Sequence, residues 1–261
     1  MKAVKLLLSY IKYYFVSVGR HGLQSSFMYN LNEFVWRRDK NDIDQEKIEN
    51  YRQALLRDKT IISVRDFGAG FGGKVYKQLP ISFITKRSSK PPKYARMLYR
   101  LSKYLKPQYI LEVGTSVGVS ALYQAMGNPS AKVITLEGCD QTAALARKGF
   151  QEFPELNIEV IEGEFSQTLP LAISKLPQLD FVYLDGNHKL KPTLEYFEMC
   201  LEKVHDDTVI IVDDINWSDE MKEAWSQISS HPKVTISIDV FMMGIVFFNK
   251  GFSKEKFVVR Y

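Results

Sequence analysis

The stretch Tyr109–Ser120, Tyr-Ile-Leu-Glu-Val-Gly-Thr-Ser-Val-Gly-Val-Ser, constrains this chain more than any other. An apolar, β-branched run breaks off at Gly114, and Gly118 follows where helical periodicity begins. That is the pattern of a buried parallel strand turning into a helix whose N-terminus faces a ligand. Gly114 lets the backbone bend and lets the ligand approach without meeting a Cβ.

Around this turn the pattern is regular. A helix through Tyr94, Met97, Leu98, Leu101 and Leu105 precedes it. Strand-like runs stand at 109–113, 132–137, 158–162, 179–184, 207–212, 234–240 and 244–249, with helical patterns between consecutive runs up to the sixth. Leu190, Leu194, Phe197 and Leu201 trace one helix face, and Met221, Ala224, Trp225 and Ile228 another. Only Phe241–Met243 separates the last two runs, which therefore pair as a hairpin. The expectation is an α/β fold: a doubly wound, seven-stranded, mostly parallel Rossmann-like sheet with a C-terminal antiparallel hairpin. Pro91-Pro92 marks a boundary between a mainly helical extension, 1–91, and this body, 92–261.

Charge divides the chain in a similar place. Residues 1–105 carry 21 Lys+Arg against 8 Asp+Glu, whereas the remainder carries 14 against 22. A basic half can face anionic lipid, nucleic acid or an acidic substrate, or dock on its own acidic partner half. No motif gives a strong nucleic-acid signal. Within the extension, 22–38 reads as helical through Leu23, Phe27, Leu31 and Phe34, and Asp44 precedes a helix through Ile48, Tyr51 and Leu55.

Met1–Gly19 mixes Leu6, Leu7, Leu8, Ile11, Phe15 and Val16 with Lys2, Lys5 and Lys12. This is too short and interrupted to span a bilayer, and no signal-peptide cleavage pattern follows. A packed helix is the plain reading; a helix lying on a membrane surface, through residues 1–19, is the sharper one. A cytoplasmic protein is expected, membrane-peripheral in the second case. The two cysteines, Cys139 and Cys200, offer neither a disulfide framework nor zinc spacing and read as buried thiols.

A second glycine turn competes with the first. Gly68, Gly70 and Gly73 fit G-x-G-x-x-G after the apolar run Thr60–Val64, the formal dinucleotide fingerprint. The next residues, Lys74-Val-Tyr-Lys-Gln-Leu-Pro, carry no long amphipathic helix. Where a ribose-binding acid should stand, the chain has Lys86, Arg87 and Lys90. The expectation is a flexible loop near the active site, or a structural turn.

In a parallel sheet the ligand sits beyond the carboxyl ends of the strands. The second strand ends at Glu137-Gly138, and Glu137, 23 residues after Gly114, suits a carboxylate holding both hydroxyls of an adenosine ribose. Glu164 and Phe165, after the third strand, are candidates to wall the adenine ring. Asp185 and His188 follow the fourth strand, and Asp213 and Asp214 end the fifth. Three carboxylates from two strand ends call for a divalent cation or a cationic ligand. In the competing reading Asp185 only touches the ligand and Asp213 or Asp214 caps the next helix, a task Asn216 or Ser218 could also take. His188 is a candidate general base or a structural hydrogen-bonder. Trp217 could wall a substrate pocket or simply pack. His21, His205 and His231 read as surface residues.

Taken in order, Ile110–Ser120, Val133–Glu137, Leu184–His188 and Val212–Asp214 resemble the motifs of class I S-adenosylmethionine-dependent methyltransferases, especially the catechol O-methyltransferase-like group. The resemblance covers roughly 92–250. It implies that Glu112, Gly114, Ser116 and Ser120 line the methionine part of the cofactor, with Gly118, Gly138, Glu164, Phe165 and Asp185 also in contact. It implies that Glu137 holds the ribose and that Asp185, Asp213 and Asp214 ligate Mg²⁺ or another divalent cation. Catechol enzymes usually have asparagine and lysine where Asp214 and His188 stand here, so the set is similar instead to metal-dependent sugar O-methyltransferases. The implied reaction is direct displacement onto a hydroxyl of a small-molecule acceptor, with His188 or Asp185 taking the proton. Such extensions build a substrate lid or a homodimer contact in related enzymes.

Two other classes compete. An NAD(P)-dependent oxidoreductase would use the same sheet, but Gly114 and Gly118 lack the third glycine that a pyrophosphate requires. A non-catalytic, membrane-associated binding protein on the same fold would bind cofactor without turnover.

Overall fold

The computed structural model describes residues 2–19, 26–36, 45–65 and 76–261. The Gly68–Gly73 turn, His21, Leu23 and Asp44 lie outside the described residues. In chain order the elements are α1 (Lys2–Val16), α2 (Ser26–Leu31) continued by a π-helical stretch at Asn32–Trp36, α3 (Glu46–Arg57), β1 (Ile61–Arg65), β2 (Tyr76–Pro80), α4 (Ile81–Ser88) and α5 (Pro92–Leu105). The alternating part follows as β3 (Tyr109–Val113), α6 (Val119–Gly127), β4 (Lys132–Glu137), α7 (Asp140–Phe150), β5 (Asn157–Glu162), α8 (Phe165–Lys175), β6 (Phe181–Leu184), α9 (Leu190–Cys200), β7 (Val209–Asp213) and α10 (Asp219–Ser230). Strands β8 (Ile236–Asp239), β9 (Met243–Phe247) and β10 (Glu255–Val258) close the chain. Two compact units result, Arg37–Leu176 and Met1–Trp36 with Pro177–Tyr261.

In the first unit β3, β4 and β5 run parallel with β4 central, so that Val113 pairs with Leu136 and Glu137 with Glu162. The interior positions of β3 and β4 are buried and mostly aliphatic, as expected for strands covered on both faces. Helix α5 starts on Pro92, whose missing N–H costs nothing at that position, and stops at Lys106 in the left-handed region (φ 52°). Gly127 lets α6 approach α5 closely: a Cβ there would meet the Tyr99 carbonyl oxygen at 2.5 Å. Ile48, Tyr51, Leu55, Tyr99, Leu122 and Phe153 belong to one buried cluster, which ties the preceding helices to the parallel strands.

Strands β1 and β2 pair antiparallel, Ile61 opposite Pro80 and Arg65 opposite Tyr76.

In the second unit the strand order is β10-β8-β9-β7-β6. β6 and β7 are parallel, whereas β9 runs antiparallel to both β7 and β8, which confirms the expected hairpin. β10 is an addition to the seven strands read from sequence, pairing parallel with β8. Its Glu-Lys-Phe-Val is short and half charged, a composition that protects a sheet edge and hides a strand from pattern reading. Cys139 and Cys200 are buried free thiols.

Candidate active site

The turn after β3 is built from left-handed backbone. Gly114 (φ 105°), Ser116 (φ 46°) and Gly118 (φ 82°) all lie there, and Gly114 N and Thr115 N both donate to Leu136 O at 3.0 and 2.9 Å. Gly118 is the N-cap of α6, and a Cβ on it would sit 2.7 Å from Phe150 Cε1. Neighbours outside the motif hold the turn in place. Tyr51 of α3 donates to Val117 O at 3.1 Å, and Ser116 Oγ donates to Ser88 Oγ, at the end of α4, at 2.6 Å. Sequence reading missed both residues; an isolated Tyr and Ser carry no signal at such separations.

Glu137 ends β4 half-buried, accepting from Ser116 N at 2.7 Å (Oε2) and Cys139 N at 2.9 Å (Oε1). Burial raises its pKa, and the backbone N–H bonds pull the other way. Its carbonyl accepts from Gly163 N at 2.9 Å, which joins the end of β5 to the end of β4. Glu164 is then the N-cap of α8 and Phe165 its first residue, both half-buried. Gly138 is half-buried beside Glu137.

Glu112, expected to line a cofactor, is fully buried within the protein. Its Oε1 accepts from Gln124 Nε2 and its Oε2 from Thr135 Oγ1, both at 2.6 Å. Since Thr135 donates its one proton there, Thr115 Oγ1 is the donor in the 2.6 Å Thr115–Thr135 contact. Desolvation lifts the Glu112 carboxyl to about 7, opposed by its hydrogen bonds to Thr135, Ser120 and Gln124.

In the second unit Asp185, His188 and Asp214 stand close together. His188 Nε2 lies 3.4 Å from Asp185 Oδ1 and 4.0 Å from Asp214 Oδ2, and Tyr183 OH donates to Asp185 Oδ2 at 3.3 Å. Asp213, the last residue of β7, is fully buried. Asp185, His188 and Asp213 each offer a ligand atom within 4.8 Å of the others, so His188 joins this group where sequence reading put Asp214.

Asn187 (φ 67°), His188 (φ 44°) and Asp214 (φ 53°) all occupy the left-handed region, strain that costs about 1–3 kcal/mol per residue and collects at functional sites. Asn187 Oδ1 is buried with no hydrogen-bond partner among the described residues. Two carboxylates and an imidazole are a donor set that fits a divalent cation. The capping task falls to Ser218, whose Oγ accepts from Met221 N at 3.1 Å, while Asn216 Nδ2 donates to Phe241 O at 2.8 Å.

Trp217 is 49% exposed. His205 and His231 are not free surface residues. His205 Nε2 lies 2.8 Å from Asp180 Oδ1, and His231 is 3.7 Å from Glu198 and edge-on to Phe197. Both partners are distant in sequence, so spacing could not reveal them.

Residues 111–215 match a family described as a methyltransferase domain, a segment that holds the β3 turn, Glu137 and the acid cluster. A catechol O-methyltransferase of Niastella koreensis is 26% identical over 127 residues, 48% of this chain and 57% of that protein. The O-methyltransferase ankF of Aspergillus thermomutatus is 30% identical over 128 residues, 47% of this chain and 52% of its own. The chain thus spans little more than half the length of these curated relatives. A solved structure of the O-methyltransferase TomG from Streptomyces achromogenes, in complex with SAM, superposes with a TM-score of 0.57 at 18% identity, covering 88% of this chain and 98% of that one. At that identity the likeness is one of fold.

Proposed function

We propose that this protein is an S-adenosylmethionine-dependent O-methyltransferase acting on a hydroxyl of a small molecule with the help of a divalent cation, Mg²⁺ in the first instance. One observation carries the reading: inside the matched domain, the Glu137 carboxylate stands at the end of β4, bonded to the N–H of Ser116 in the β3 turn. A carboxylate so placed accepts hydrogen bonds from the paired hydroxyls of a ribose. S-adenosylmethionine, when bound, supplies a methyl group on a sulfonium, and a divalent cation supplies positive charge beside the acceptor oxygen.

The chain's own residues do the rest. Gly114, Ser116 and Gly118 present backbone rather than side chains, and Ser120 and Gly138 keep the turn and the ribose end narrow. Glu164 and Phe165 flank the base. Glu112 acts from behind, anchoring Thr135 and through it Thr115. Asp185, Asp213 and Asp214 hold the cation, and His188 Nε2 takes the proton from the acceptor hydroxyl. A second reading has its own support, since His188 groups more tightly with Asp185 and Asp213 than Asp214 does. There His188 is a ligand and Asp214 the proton acceptor.

The test is transfer of labelled methyl from S-adenosylmethionine to a panel of phenols and sugars. Asp185→Ala is expected to abolish turnover; full activity in that variant would remove the cation from the reading.

A further inference from the structure

Helix α1 is amphipathic with its apolar face turned outward. The side facing its own unit is tied down, with the Tyr10 and Tyr13 rings on Phe241 at 4.9 and 5.2 Å between centroids. Tyr13 is buried and its hydroxyl donates to Val259 O, while Ser9 Oγ accepts from Lys222 Nζ at 2.8 Å. The chain that leaves the helix is anchored as well. Val18 N donates to Val258 O, Arg260 N to Val18 O, and the Arg260 guanidinium lies 4.0 Å from the centre of the Tyr14 ring.

The opposite side is open. Val4, Leu7, Leu8 and Phe15 are 61%, 59%, 60% and 80% exposed, and Ile11 and Tyr14 are exposed between them. At about 100° per residue these six positions fall in a sector about 120° wide. Contiguous apolar surface of this kind marks an interaction site. Lys12 is exposed on its flank, and the helix sequence carries Lys2, Lys5 and Lys12 with no acid.

Charge selects the occupant. Pairing with a second copy about a two-fold axis would bring two acid-free, lysine-bearing helices together. An anionic bilayer instead offers hydrocarbon to the face and phosphate to the lysines. No helix among the described residues is long and apolar enough to cross a membrane. We propose that α1 lies in the plane of an anionic membrane surface, with Val4, Leu7, Leu8, Ile11, Tyr14 and Phe15 in the headgroup–acyl boundary and Lys12 at the phosphates. This inference is independent of the catalytic reading.

The experiment is flotation of the full chain with vesicles of phosphatidylcholine alone and of phosphatidylcholine mixed with phosphatidylglycerol. The protein is expected to float with the anionic vesicles, less so as salt rises. Leu8→Asp combined with Phe15→Glu should lower the partition about tenfold or more, with an unchanged thermal melt because both side chains are exposed. Lys12→Glu should weaken the anionic preference. No flotation, or equal flotation of the double variant, would overturn the proposal. So would a dimer in sedimentation that the double variant dissolves, because the face would then belong to a second copy.

Discussion

The backbone N–H of Ser116 donates to Glu137 Oε2 at 2.7 Å, so the turn after β3 and the acid at the end of β4 are one unit. With Glu137 as the ribose acceptor, removing its carboxylate both frees the turn and deletes a cofactor contact. Hydrogen bonds to a charged group contribute about 1.5–3 kcal/mol, so Glu137→Ala should weaken binding of S-adenosylhomocysteine on the order of tenfold to a hundredfold. Calorimetry reads this directly, and an unchanged affinity would take Glu137 out of the site.

The two roles of His188 separate cleanly. As proton acceptor, His188→Asn should slow methyl transfer on the order of a hundredfold or more while leaving Mn²⁺ affinity near that of the parent protein. As ligand, the same variant should lose cation affinity, and Asp214→Asn should carry the rate defect instead. Titration of Mn²⁺ followed by electron paramagnetic resonance distinguishes them; a cation site indifferent to Asp185→Asn and Asp213→Asn would sink both.

Glu112 gives a pH signature. Its pKa of about 7 in the folded protein exceeds the ordinary 4.5, so between those values the folded state holds the extra proton. Stability should therefore fall as pH rises through that window and level off above it, by about 3 kcal/mol from this group alone. Glu112→Gln should flatten that slope. The replacement is tolerable because Thr135 can accept from the new amide and turn its own hydroxyl to donate to Thr115. Thermal melts across the pH range check it; an unchanged slope would mean that the buried carboxyl stays near its ordinary pKa.

Gly118→Ala should destabilise the protein by about 1–3 kcal/mol, since alanine meets both an unfavourable φ of 82° and the Phe150 ring 2.7 Å from its Cβ. Pairing it with Phe150→Leu should restore part of the loss. A melt as high as that of the parent protein would show that the turn is not held as described.

Much of the fold and site is legible in the residues themselves. The bounds of β3 and β4, 109–113 and 132–137, match expectation because each is an apolar run stopped by glycine or by a Glu-Gly pair. The acids after β6 and β7 are readable because strand ends are where chemistry sits in such sheets. Edge strand β10 is not, since four residues with two charges carry no period. Nor are the grips of Tyr51 and Ser88 on the β3 turn, which depend on the chain folding back over long separations. The G-x-G-x-x-G at 68–73 fails on its sequence context, because Lys86, Arg87 and Lys90 stand where a ribose-binding acid is needed.

The identity of the cofactor decides everything else about the site, and titration calorimetry of the full chain with S-adenosylhomocysteine and, separately, with NAD reads it out. Saturable one-to-one binding of S-adenosylhomocysteine, weakened by Glu137→Ala, is expected, with no heat from NAD. Binding of NAD with none of S-adenosylhomocysteine would contradict the assignment.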